Sequence, residues 1–154
     1  LGPAGRAVYR ANGARYKEQL TTLDQQLRSA ISQVPKRRRV LVTCEGAFSY
    51  LAQDYGLEEA YLWPVNAESQ ITPRRLARLI DRVRSSRVPA VFCESTVSDK
   101  AQQEVARATG ARFGGTFFVD SLSGPTGPAS SLIDLQRHNV GLIVKGLGGE
   151  VAER

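Results

Sequence analysis

Residues 40–56 read VLVTCEGAFSYLAQDYG, and this stretch decides the fold. It opens with a short apolar, β-branched run, VLVTC, that lacks polar alternation. That is the pattern of a strand covered on both faces. A carboxylate, Glu45, follows at once, and then a helical segment, GAFSYLAQDYG, with Gly56 as its stop. In a parallel α/β sheet, ligands bind where strand ends and helix starts converge on one open edge. An acid at that junction is therefore a candidate site residue.

Upstream, from about Val8 to Val34, the apolar residues Leu20, Leu23, Leu27, Ile31 and Val34 recur every three or four positions among polar ones. The spacing predicts a long amphipathic helix, ended by Pro35 and the basic run KRRR at 36–39. Downstream, AYLWPV reads as a second strand closed by Pro64. The loop NAESQITP leads to a helix starting near Thr72 and Pro73, a cap and first-turn pair. Leu76, Leu79, Ile80 and Val83 share one face of that helix. VPAVFCE is the third strand, SDKAQQEVARATG a helix with Ser98 as its cap, and ARFGGTFFVD the fourth strand. The loop SLSGPTGPASS precedes a last helix from about Leu132 to Leu147. Alternating strands and helices imply right-handed βαβ units. The expected fold class is α/β, a four-stranded parallel sheet flanked by helices and preceded by the long helix.

The 154 residues suffice for one ordinary globular domain. Lys and Arg number 21 against 15 Asp and Glu, a net charge of +6. The excess clusters at KRRR and along one helix at Arg74, Arg75, Arg78, Arg82, Arg84 and Arg87. No aromatic residues are interleaved to stack on bases, so the cluster reads as a solvated basic face with no nucleic-acid partner. No apolar run approaches the roughly 20 residues that span a bilayer, and no signal peptide is present. The opening LGPAGRAVYRANG lacks an initiator Met and reads as the middle of something longer.

Three strands are expected to end in an acid: VTCE at Glu45, VFCE at Glu94 and FFVD at Asp120. Parallel strands bring all three to one edge, where without a cation they would repel and drive at least one pKa upward. Each acid alone reads as a helix cap; as a set they point to a metal or to catalysis. Catalysis lacks support. There is no histidine near a strand end, no G-x-S-x-G elbow, no G-x-G-x-x-G and no P-loop. The lone His138, between Arg137 and Asn139, reads as a surface residue. Cys44 and Cys93 end two strands, which are neighbours if the order is 2-1-3-4. They read as two small buried thiols, and pairing requires Cα atoms within about 7 Å. The alternative function is a Mg2+-dependent enzyme that uses the three acids on a phosphorylated small molecule. It needs a cation at the same edge to hold phosphate, and the nearest, Lys100, reads as one turn into a helix.

The stretches VLVTCEGAFSYLAQDYGLEEAYLWPVNAESQITPRRLARLI, VPAVFCESTVSDKAQQEVARATG and FFVDSLSGPTGPASSLIDLQRHNV resemble the C-terminal lobe of the manganese, iron and zinc receptors of bacterial ABC transporters, some described as lipoprotein adhesins. The resemblance runs from about Val8 to Leu147. It rests on T-x-[EH]-x-A-F-x-Y, the downstream YG, ES after the third strand and DS after the fourth, all in order. In that family one long helix joins two α/β lobes and a single metal lies between them. The first lobe supplies two histidines, and the second an acid or histidine after its first strand and an aspartate after its fourth.

The resemblance implies that residues 1–35 are the linker helix and 36–154 the C-terminal lobe, with the N-terminal lobe absent. It places the metal ligands on Glu45 and Asp120 and gives Glu94 a supporting role beside them. Glutamate at position 45 resembles the manganese and iron branch, so Mn2+ or Fe2+ is the implied cargo. Zn2+ stays open, because the affinity order favours zinc over manganese at most N/O sites. The implied partner is a membrane ABC permease, and the implied location is periplasmic or extracytoplasmic and membrane-anchored. Cys44 stands where a small residue such as serine is usual, and Leu132 where an aromatic is common.

Overall fold

The computed structural model describes residues 2–148. Helix α1, Pro3–Ser32, begins earlier than the apolar spacing suggests because Pro3 occupies its first turn. Its last turns bury Leu23, Leu27 and Ile31, with Val34 just beyond, whereas residues 6–19 are exposed along its first half. After a short 3-10 turn at Lys36–Arg38, strand β1, Val40–Gly46, is buried along nearly its whole length. Helix α2, Ser49–Tyr55, ends on Gly56 in the left-handed conformation (φ 68°), as its sequence predicts. Strand β2, Glu58–Pro64, runs parallel to β1 in a register from Val40 opposite Glu58 to Gly46 opposite Pro64.

Helix α3, Pro73–Ser86, is capped by the Thr72 hydroxyl, which accepts from the Arg75 N–H at 3.2 Å. Strand β3, Ala90–Glu94, then leads to α4, Lys100–Thr109. The expected Ser98 cap is not made. Asp99 precedes the helix and no side chain caps it, so Lys100 opens α4 rather than lying a turn inside. Strand β4, Arg112–Phe117, pairs parallel to β3 with a bulge at Gly114. A Cβ at Gly114 would sit 2.4 Å from the Phe92 ring, so glycine lets that ring lie against the strand. Helix α5, Leu132–Leu147, is capped by Ser131 and packs on β4 and α1; α3 and α4 pack on each other and on β2 and β3. Leu41, Val91, Phe92, Phe117, Ile143 and Leu147 form the fully buried centre.

The fold class is α/β, as the alternation predicts, but the strands do not form one four-stranded ladder. Among the described residues, backbone pairing gives two two-stranded parallel sheets, β1–β2 and β3–β4. Their inner strands β1 and β3 lie side by side, so the spatial order is 2-1-3-4. Side chains join them. The Cys44–Cys93 disulfide spans the seam with Cα atoms 4.9 Å apart. Deeper in, the Gln102 amide on α4 donates to the carbonyls of Val42 (3.3 Å) and Phe92 (2.8 Å). Two carbonyls at the seam are thus satisfied by a helix side chain, and the ladder is interrupted where sequence periodicity would continue it.

Candidate metal centre

Glu45 lies within β1, one residue before its end, and is only 8% exposed. Its carboxylate accepts the N–H of Asn66, from the turn after β2, where Asn66 adopts a left-handed conformation (φ 57°). The Glu45 carbonyl accepts from the Thr43 hydroxyl at 2.8 Å. The acid is therefore fixed by its own strand and by the neighbouring strand's exit. Such a buried carboxylate needs a donor like the Asn66 N–H to offset lost hydration.

Glu94 ends β3 and is 1% exposed. One carboxylate oxygen accepts the Glu45 N–H across the seam at 3.2 Å; the other has no partner among the described residues. Burial first, and then the nearby Glu45 charge, push the Glu94 carboxyl up to about 7 from an ordinary 4.5, against the backbone N–H groups that favour its ionised form. One Glu94 oxygen and the sulfurs of Cys44 and Cys93 lie within 4.8 Å of one another. The sulfurs are bonded to each other, so this trio does not offer three ligands as it stands.

Asp120 differs from expectation. Strand β4 stops at Phe117, so Asp120 lies three residues beyond it in an exposed loop, with φ 55°. Aspartate tolerates that left-handed region better than most residues. The strand stops because the Asn139 amide on α5 takes both polar groups of Phe118, accepting its N–H at 3.0 Å and donating to its carbonyl at 2.9 Å. The chain beyond Phe117 thus finds its partner on a helix.

Aromatic packing gathers the strand exits. Phe48, in the turn between β1 and α2, meets Phe117 edge to face at 5.3 Å, and Phe117 stacks on Phe92 at 4.8 Å. The Ser95 N–H donates to the Phe117 carbonyl at 2.8 Å. The Glu45 N–H and the Glu94 carboxylate are in direct contact, and Asp120 follows three residues after Phe117 along the chain. Carboxylate oxygens are hard donors that suit Mn2+ and Fe2+, and the unpartnered Glu94 oxygen shows that the edge holds more acceptor capacity than its own N–H groups use.

Four supporting residues escape the strand-end reading: Asn66, Glu59, Gln102 and Asn139. Glu59 on β2 accepts the Phe48 N–H (2.8 Å) and the Ser49 hydroxyl (2.7 Å), capping α2 from outside. Gln102 and Asn139 did leave a signal. Each is a polar residue on the apolar face of its helix, three or four positions from Val105 and Ala106 in one case and Ile143 in the other. His138 is half-buried and not a surface residue. Its Nε2 lies 3.1 Å from the Thr116 carbonyl and its ring packs against Phe118 at 5.4 Å.

Residues 1–146 match the family described as zinc-uptake complex component A, periplasmic (ZnuA). The iron-binding protein YfeA of Yersinia pestis is 48% identical over 146 residues, covering 95% of this chain and 47% of that protein. The manganese ABC transporter substrate-binding lipoprotein PsaA of Streptococcus pneumoniae is 30% identical over 145 residues, 94% of this chain and 47% of that protein. An Mn-bound periplasmic metal binding protein from Candidatus Liberibacter asiaticus has the same fold at a TM-score of 0.84 and 37% identity, covering 94% of this chain and 53% of that one. The periplasmic zinc binding protein TroA from Treponema pallidum gives a TM-score of 0.88 at 27% identity, with 94% and 54% covered. The chain spans about half the length of these relatives.

Proposed function

Because this chain belongs to the zinc-uptake complex component A family, we propose that it forms the C-terminal half of a receptor that captures a divalent metal ion for an ABC importer. In this reading residues 1–35 are the linker helix, 36–154 the metal-binding lobe, and Glu45 and Asp120 supply half of the ion's ligands. The observation that carries it is Glu45, a carboxylate buried at a strand exit and aimed by the Asn66 N–H while Glu94 holds its backbone.

The other half of the coordination sphere comes from an N-terminal lobe of the same parent chain. The exposed first half of α1, with Val8 58% and Tyr9 55% accessible, is the natural place for that lobe to rest. The receptor works as a non-enzyme outside the cytoplasm, periplasmic or membrane-anchored, and hands its ion to a membrane permease. Ion binding favours a closed arrangement only if both lobes contribute ligands. Relatives named for iron, manganese and zinc leave the cargo among Mn2+, Fe2+ and Zn2+. Two carboxylates favour the first two, and selectivity over zinc must come from geometry.

Calorimetric titration with Mn2+, Fe2+ and Zn2+ tests this, using this chain and a receptor that also carries the N-terminal lobe. Tight binding is expected only with both lobes, and Glu45→Ala or Asp120→Ala should abolish it. Tight binding by this chain alone, or indifference to both substitutions, would overturn the reading.

A further inference from the structure

The disulfide bond joins the residue before Glu45 to the residue before Glu94, at the one boundary between inner strands that no backbone ladder closes. Two other cross-links occupy this seam. Gln102 ties Val42 to Phe92, two residues deeper on β1 and one on β3. The Glu94 carboxylate accepts the Glu45 N–H at the rim itself. The Gln102 amide fixes the seam inside the lobe and leaves the rim to the disulfide and to one hydrogen bond of 3.2 Å. Both cysteines are fully buried, so the bond serves no surface purpose.

We infer that the Cys44–Cys93 disulfide is a positioning device for the metal centre, holding β1 and β3 at the separation in which the Glu45 N–H meets the Glu94 carboxylate. This rests on the reading of Glu45 and Asp120 as ligands. Opening the bond takes two electrons and two protons from a dithiol reductant, which becomes a disulfide itself. The S–S bond breaks and each sulfur leaves as a thiol. Two unbonded sulfurs need more room than a bonded pair, and with no ladder to resist, the rim gives way. The Glu45 N–H then loses the Glu94 oxygen, and the backbone that carries the Glu45 carboxylate is no longer held at the seam. Loss of a group that orients a metal ligand lowers affinity by about 10- to 100-fold; a drop of about tenfold is expected here. Cys44 and Cys93 are thus positioning residues that touch no ion.

The test uses this chain, labelled for NMR, as the oxidised protein and as the Cys44→Ala/Cys93→Ala variant, which avoids thiols that would themselves bind metal. Mn2+ is titrated and its paramagnetic broadening followed at Glu45, Asn66 and Asp120, a readout that registers weak binding. The inference requires that the variant stay folded, that the Glu45 amide proton move while core amides do not, and that the Mn2+ midpoint rise about tenfold. Equal midpoints in the two forms, or an unmoved Glu45 amide, overturn it. So does collapse of the whole spectrum, which would make the disulfide a brace for the entire lobe. If Mn2+ broadens none of these residues even in the oxidised form, the ligand assignment itself fails, an outcome distinct from equal broadening in both.

Discussion

At the edge where the strands begin the helices end, and arginines answer the carbonyls of four of them. Arg39 donates to Ser32, the last residue of α1, and to Val34 just beyond it, Arg28 to Asp54 on α2, Arg84 to Ala108 on α4, and Arg112 to Lys145 and Gly146 on α5. At the opposite edge the helices start and the acids Glu45 and Glu94 meet, backbone N–H to carboxylate, while Glu59, from the start of β2, reaches the first residues of α2. A helix carries partial positive charge at its N-terminus and partial negative charge at its C-terminus, so parallel winding gives each edge a sign. These arginines and carboxylates follow it. Four of the 21 basic side chains are thus engaged with helix ends. The acids at the other edge are in excess of what the helix starts use.

The contrast predicts a graded response to damage. Largest is the Cys44→Ala/Cys93→Ala pair, whose bridge closes a 49-residue separation; chain entropy puts the loss near about 4 kcal/mol, read by chemical denaturation at neutral pH. Next is the pH response of the acidic edge. Glu94 keeps its proton to about 7 in the folded metal-free chain but ionises near 4.5 when unfolded. Its contribution is complete below 4.5 and is lost as pH rises through 7, a swing of about 3 kcal/mol. Glu94→Gln should flatten that slope, and an unchanged slope would assign it elsewhere.

Gln102→Leu strands the Val42 and Phe92 carbonyls at the seam and should cost about 2 kcal/mol in the same denaturation assay. Arg112→Ala, at the basic edge, removes two bonds to the end of α5. The guanidinium is solvated, so about 1 kcal/mol is expected as a lowered Tm.

Smallest is the clamp of α1 on α2. Arg28 holds the Asp24 carboxyl below its ordinary 3.8, while burial, helped by the bond to Asp24, pushes the Tyr55 hydroxyl up to about 12. The Asp24 contribution is present above 3.8 and fades as pH falls further; the Tyr55 contribution is present below 10.0 and fades as pH rises towards 12. Following the Tyr55 phenolate by ultraviolet absorbance should show that late titration, and Asp24→Asn should bring it earlier. The two edges thus lose stability in different pH ranges.

The strands and helices were legible because each is a strongly periodic run: VLVTC and AVFCE are apolar throughout, and Leu23, Leu27 and Ile31 keep helical spacing. Glu45 and Glu94 were legible because a strand exit is a fixed place in an α/β fold. What periodicity cannot carry is pairing between distant segments. The seam depends on Gln102 reaching two strands, and the early end of β4 on Asn139 reaching Phe118; both are single amides whose partners lie elsewhere in the chain. The cysteines pair because the order 2-1-3-4 places them opposite one another, a fact of topology that their spacing of 49 does not contain.

The amide of Asn139 has a mechanical consequence. Phe118 hangs from α5 and not from a neighbouring strand, so the loop bearing Asp120 is fastened to the helix, whereas Glu45 is part of a strand. The path between the two carboxylates thus runs through one amide, like a hinge through its pin.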